Sequence, residues 1–150
     1  MREILFRGKR LDNGEWVEGC CLHMGPVANE RAYMIPSYAS ALYTYEVDPA
    51  TVCQFTTRLD KNGKRIFEGD LLNGFSYPFL RDNAHNYFAE VVWFENSPAF
   101  GLVVHKNPLS AVRGISAGNA GYMEGFDESD WEIIGNIHDN PELMEVTPDE

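Results

Sequence analysis

Past Met123 the chain carries no lysine or arginine, although ten of its 23 acidic residues lie there: Glu124, Asp127, Glu128, Asp130, Glu132, Asp139, Glu142, Glu145, Asp149 and Glu150. Nearly all of the net charge of −11 therefore sits in one terminal segment. The broad basic face of a nucleic-acid binder is missing. Bases form only two small clusters, Arg2/Arg7/Lys9/Arg10 and Arg58/Lys61/Lys64/Arg65, so direct nucleic-acid binding is not expected. No apolar run reaches the roughly 18 residues that a spanning helix needs. The opening Met1-Arg2-Glu3-Ile4 turns charged again by Arg7, unlike a secretory signal. No membrane partner and a cytoplasmic location are expected. Cysteine is scarce, at three residues, and Cys20 and Cys21 are adjacent, which argues against a disulfide framework. No stretch keeps a 3.6-residue apolar period over three turns, so long amphipathic helices are not expected.

What is present is strand and turn grammar. The hydrophobic content of 44% and aromatic content of 13% suit a globular chain of 150 residues. A chain of that length buries about 68–70% of its unfolded surface without needing a metal or disulfide. Ile4–Arg7 and Glu15–Glu18 read as strands flanking the turn Asp12-Asn13-Gly14, since Asn-Gly tolerates positive φ. Arg31–Ile35 and Tyr43–Val47 read as further strands, closed by Pro36 and Pro49. Thr51–Thr56 alternates and leads into the turn Asp60-Lys61-Asn62-Gly63, after which Ile66-Phe67 starts another strand. Glu90–Phe94 is apolar on both faces and reads as a central strand covered on each side, joined by Glu95–Ala99 to Phe100–Val104. Trp131–Ile137 is the last strand, and Asp139–Met144 has the Asn cap and early proline of a short helix. Phe75–Phe88 and Arg113–Phe126 read as long loops, the second punctuated by Gly114, Gly118, Gly121 and Gly125. The segments Arg10–Gly19 and Arg58–Gly69 share a turn and an Glu-Gly ending; two hairpins with the same turn chemistry explain this as simply as a duplication.

Candidate chemistry is thin. Cys20-Cys21-Leu22-His23 invites a metal reading, but on a strand the two cysteines face opposite ways. Cys21 and His23 share a face, with Cys53 as a conceivable third ligand, yet the usual C-x₂-C spacing is absent. Buried free cysteine is the simpler account, and neither metal nor cofactor is expected. The histidines His23, His85, His105 and His138 are scattered without ligand spacing. No catalytic residue is identified.

Thr51–Thr56 followed by Asp60-Lys61-Asn62-Gly63-Lys64-Arg65-Ile66-Phe67-Glu68-Gly69-Asp70-Leu71 resembles the YopX-like family of phage and prophage proteins. So do the opening Arg2–Ile4 through Phe6–Lys9 to Trp16, and the closing Glu132–Ile137 with Asn140-Pro141-Glu142-Leu143. The resemblance implies a mainly β fold: an N-terminal β-hairpin subdomain over 1–50, a small SH3-like barrel over 51–150, and a short C-terminal helix. It implies phage or prophage origin and no known activity. The sequence departs from the family pattern at Cys53 and Thr57, where glycine is common, so local geometry there must differ if that glycine serves positive φ or close approach. Asn62, Gly63, Glu68, Gly69, Asp70, Gly135 and Asn136 read as structural motif residues, with Glu68-Gly69-Asp70 resembling a diverging turn and the Asp70 carboxylate accepting backbone amides. A paired-carboxylate glycosidase would need two groups facing one cleft about 5–9 Å apart, and no cleft is evident.

The function expected from this is a non-catalytic protein–protein interaction module working through loops on a rigid β scaffold. The alternatives are a small hydrolase with a loop-built site and an acidic nucleic-acid mimic or modulator. A homo-oligomer is also expected, with Glu142 and Glu145 meeting basic turns of a neighbouring copy and Phe79, Tyr87 or Leu143 supplying apolar area.

Overall fold

A computed structural model of the chain describes residues 1–25, 30–38, 43–74, 86–107, 120–123 and 130–144. They form eleven strands: β1 (Phe6–Lys9), β2 (Trp16–Met24), β3 (Arg31–Pro36), β4 (Tyr45–Val47), β5 (Cys53–Leu59), β6 (Arg65–Phe67), β7 (Asp70–Asn73), β8 (Asn86–Phe94), β9 (Ala99–Asn107), β10 (Ala120–Tyr122) and β11 (Glu132–Asn136). Helical structure among the described residues is confined to short 3-10 turns, including Pro49–Thr51 and Pro141–Met144. The fold is mainly β, in two antiparallel sheets that are not closed. Contacts divide the chain into two compact units, Met1–Thr57 and Arg58–Glu150.

In the first unit β1 to β4 form a meander, and β5 adds to the free side of β1. The hairpin between β1 and β2 closes where Arg10 N–H donates to Glu15 O at 2.9 Å, with Gly14 at φ 72° in the turn. One sheet face is apolar every second residue. Val17, Ala32, Met34 and Val47 are buried there, flanked by Phe6, Cys21, Tyr45 and Val52. The sheet curls around this cluster. Arg10 forms an isolated antiparallel bridge with Val47, and Asp48 N–H donates to Lys9 O at 2.8 Å, tying the end of β1 to the end of β4.

The second unit begins as β5 turns through Asp60–Lys64 into β6. Its sheet runs β10-β9-β8-β7-β11. Ile66, Leu72, Ala89, Val91, Leu102, Met123 and Trp131 form the core, with Phe100 and Ile133 packed against it. β8 is central, as its composition predicts, but it is not covered on both faces along its length. Tyr87, Ala89 and Val91 are buried, whereas Trp93 on the same face is 42% exposed at the strand's end. Glu90, Val92 and Phe94 on the other face are half-buried.

Three further expectations change. Tyr87 and Phe88, assigned above to a loop, lie in β8, and Gly121 and Tyr122 lie in β10. Asn86 and Ala120 begin those two strands and Met123 is buried in the second core; the rest of those two loops falls outside the described residues. The C-terminal helix is a single 3-10 turn. Thr51 belongs to the 3-10 turn before β5 because Asp48 caps that turn, accepting from Ala50 N–H at 3.0 Å.

Candidate functional site

The motif residues converge on backbone groups. Asp60 is 6% exposed. Its Oδ1 accepts from Asn62 N–H and Lys64 N–H, both at 2.9 Å, and its Oδ2 accepts from Ile133 N–H at 3.2 Å. Burial pushes this carboxyl up, but the three amide donors outweigh it and hold it below the ordinary Asp value. The turn itself needs Gly63, which sits at φ 78° and donates to Asp60 O at 3.0 Å. Lys61 closes the same junction, its N–H donating to Trp131 O at 2.7 Å and its Nζ lying 3.2 Å from Glu132.

A second cluster surrounds Glu68-Gly69-Asp70. Asp70 is 1% exposed, and its Oδ2 accepts from Phe67 N–H at 2.8 Å. Gly69, at φ 85°, donates to Val91 O at 2.8 Å and accepts from Ile137 N–H at 2.9 Å, so one turn residue joins β8 to the segment after β11. Glu68 is half-buried in the turn. The third cluster is the closing motif. Asn136 Oδ1 accepts from His138 N–H at 3.0 Å and Asp139 N–H at 2.9 Å, while its Nδ2 donates to Asp139 Oδ2 at 3.0 Å. Asn140 Oδ1 returns to Asn136 N–H at 3.2 Å. A Cβ on Gly135 would lie 2.7 Å from Asn140 Cγ, so only glycine lets that asparagine fold back.

The two hairpins that look alike in sequence differ here. Asp60 caps its own turn, whereas Asp12 points outward to Arg10, whose Nη2 is 2.5 Å from Asp12 Oδ2. That exposed pair holds the Asp12 carboxyl below its ordinary value. The residues considered for metal binding are spread out: Cys20 is exposed, Cys21 packs on the first core, and Cys53 is buried with its Sγ 3.1 Å from Thr51 O. Burial, then the neighbouring Cys20, raises the Cys21 thiol. His23 pairs with Glu30. His105 lies 3.2 Å from Glu90 Oε1 and stacks on Phe88 with ring centroids 5.3 Å apart. Among the described residues no group of three or more His, Cys, Asp or Glu is placed to hold a metal ion, and no helix is long and apolar enough to cross a membrane.

The unanticipated feature is the outer face of the first sheet. Register places Trp16 opposite Lys9, Cys20 opposite Ile35, Leu22 opposite Tyr33 and Met24 opposite Arg31, all on the face away from the buried Val17–Met34 cluster. Leu22 and Met24 are 48% and 59% exposed. The Arg7 guanidinium lies 4.5 Å from the Trp16 ring centroid and the Arg31 guanidinium 5.6 Å from that of Tyr33. Arg31 also grips Glu46 through bonds of 2.9 and 3.1 Å, raising its own pKa and lowering that of Glu46. The sequence held the signal: Trp16, Cys20, Leu22 and Met24 alternate with the buried set at period two.

Turns capped by their own carboxylates in the second unit, and a partly apolar outer sheet face in the first, define a mainly β protein of two antiparallel sheets. The chain belongs to the YopX family: the model described as YopX protein matches residues 5–145. Among solved structures it is similar to the crystal structure of protein EF1440 from Enterococcus faecalis, with 21% identity, a TM-score of 0.48, and coverage of 97% of this chain and 100% of that one. No functionally curated protein matches.

Proposed function

We propose that this chain is a non-catalytic protein–protein interaction module of phage or prophage type, working in the bacterial cytoplasm. The observation that carries the reading is the outer face of β2 and β3, where Leu22, Met24, Tyr33 and Ile35 lie together under a rim of Arg7, Lys9 and Arg31. An apolar stripe rimmed by charge is the composition of a contact surface. A small SH3-like barrel over 51–150 is proposed as the finer description of the scaffold. The motif residues Asn62, Gly63, Glu68, Gly69, Asp70, Gly135 and Asn136 are proposed as structural, supported by carboxylate and amide groups that bind neighbouring backbone. That use of Asp60 and Asp70 weighs against a paired-carboxylate hydrolase. A mimic role for the acidic segment is also disfavoured, because Glu132 meets Lys61 and Asp139 meets Asn136 within the chain.

The test is capture of host-lysate proteins on the immobilised chain, beside a Trp16→Ala/Tyr33→Ala variant of unchanged circular dichroism. A defined protein retained by the natural chain and lost at least tenfold in the variant supports the reading. Identical retention by both, or none, overturns it.

A further inference from the structure

β2 is longer than the strand beside it. Its pairing with β1 ends at Gly19 opposite Phe6, whereas its pairing with β3 continues to Met24 opposite Arg31. The phase of the ladder is fixed by two bonds: Arg10 N–H to Glu15 O at 2.9 Å, and Ser37 N–H to Glu18 O at 3.0 Å. The first directs the backbone groups of Val17 and Gly19 toward β1; the second directs those of Glu18, Cys20, Leu22 and Met24 toward β3. Cys21 and His23 therefore aim N–H and C=O past the end of β1. Among the described residues no backbone hydrogen bond outside the β2–β3 ladder is made by either. Ile4, which would continue the ladder opposite Cys21, lies outside β1 and is 63% exposed.

Open strand edges are normally protected by lysine, proline, a bulge or an inward charge. Cys20-Cys21-Leu22-His23-Met24 has no Lys, Arg, Asp, Glu, Pro or Gly. We propose that a second copy of this chain pairs with this edge, antiparallel, about a two-fold axis at Leu22. In that register Cys21 of each copy faces His23 of the other, and the four outward N–H and C=O groups on each side are mutually satisfied. Leu22 meets Leu22 as the non-hydrogen-bonded pair, with Cα atoms about 4.5 Å apart. A two-fold pairing sets a segment against itself, so a fixed charge would meet its like; this segment carries none from carboxylate or lysine. The exposed Leu22 and Met24 of both copies then form one continuous apolar strip across the joined sheets. The site is the edge of β2, separate from the Trp16 and Tyr33 side chains on which the interaction-module reading is tested, so either proposal can fail alone.

The experiment is light scattering after size exclusion on the full chain at tens of micromolar. The expected mass is twice that of the monomer. His23→Pro removes one outward N–H without touching the β3 ladder, and is expected to give the monomer mass with an unchanged far-UV spectrum; Cys21→Pro should do the same. In a Cys20→Ser/Cys21→Ser background, Leu22→Cys should cross-link into a dimer on mild oxidation, since the Cα spacing of a non-hydrogen-bonded pair fits a disulfide. Tyr33→Cys in that background should not. A monomeric natural chain overturns the proposal, and slow exchange of the Cys21 and His23 amides in that monomer would show the edge closed by its own chain. A dimer that survives both proline variants and gives no Leu22→Cys cross-link also overturns it. If the proline variants do not fold, the cross-link alone decides.

Discussion

Replacing Thr57 by glycine is expected to stabilise the protein. Thr57 is the one non-glycine residue with positive φ among the described residues, at 72°. It sits in β5 immediately before the second compact unit. An L-residue in the left-handed region loses roughly 1–2 kcal/mol from the contact of Cβ with the following carbonyl, and a β-branched residue stands at the upper end of that range. The side chain is exposed, so little packing is lost with it. Against the relief stands the greater freedom of glycine in the unfolded chain, about 0.5–1 kcal/mol relative to alanine. The balance favours Thr57→Gly by about 0.5–1.5 kcal/mol. For a chain of this size that corresponds to a rise of about 1–5 °C in Tm. Urea titration followed by far-UV circular dichroism should show a higher midpoint with an unchanged slope. Thr57→Ala keeps the Cβ and should gain less than half as much; Thr57→Asn should fall between them. A Thr57→Gly chain no more stable than its parent would refute the strain account and mean that the hydroxyl or methyl makes contacts worth more than the backbone cost.

Asp60→Ala should cost about 2–3 kcal/mol, because three backbone donors lose their acceptor at once, and melting would report it as a Tm lowered by about 5–10 °C. The folded-state pKa of Asp60 lies below its unfolded value, so its contribution is fully present above the unfolded pKa and is lost as pH falls through the folded one. Acid titration of stability should therefore be flatter for Asp60→Asn than for the natural chain; equal slopes would refute this. Gly135→Ala should destabilise by about 1–3 kcal/mol through overpacking against Asn140, with relief in Gly135→Ala/Asn140→Gly as the check on that contact. Far-UV circular dichroism of the natural chain should be β-type, and a majority-helix spectrum would refute the fold.

The legible parts of this fold were those written in short-range chemistry. Asn-Gly turns, alternating strands and prolines at strand ends place β1, β3 to β6, β9 and β11 to within a few residues, whereas β2 runs on past Glu18 to Met24 and β8 begins before Glu90, at Asn86. The bulk of β7 and β10 was not legible, because Asp70–Asn73 follows a turn with no polar spacer and Ala120–Tyr122 is too short to show alternation. The exposure of Trp93 was equally hidden: Glu90–Phe94 reads as buried on both faces, and coverage depends on which elements pack above the sheet. Tyr87, expected to furnish contact area for a neighbouring copy, is 7% exposed in β8 and so is core. Within the chain Lys61 of a basic turn meets Glu132 of the acidic segment, a different contact from the expected one of Glu142 and Glu145 with a neighbouring copy. The expectation attached to Thr57 was the most informative. Where the resemblance expects glycine, Thr57 itself adopts a positive φ of 72°, so the geometry there is the one a glycine would take and not a different one. The backbone path is thus set by the surrounding ladder, and the side chain is strained to follow it.

The same logic locates function by subtraction. The residues that carry the family resemblance spend their polar groups internally: Asp60 on three amides, Asp70 on Phe67, Asn136 and Asn140 on each other's turn. They specify a path for the chain. Cys20–Met24 and Tyr33 lie outside every one of those motifs, yet they include the exposed Leu22 and Met24 and the open backbone edge of β2. Specificity in a module of this kind would therefore sit on β2 and β3. Exchanging only the outward-facing residues of these two strands between family members should transfer partner choice and leave thermal stability within about 1 kcal/mol, the usual effect of surface substitutions that touch no cap or core. Competitive capture of one partner by the two exchanged chains measures it. Partner choice that instead follows the Asp60–Asp70 hairpin would place recognition on the motif and refute the division between scaffold and surface.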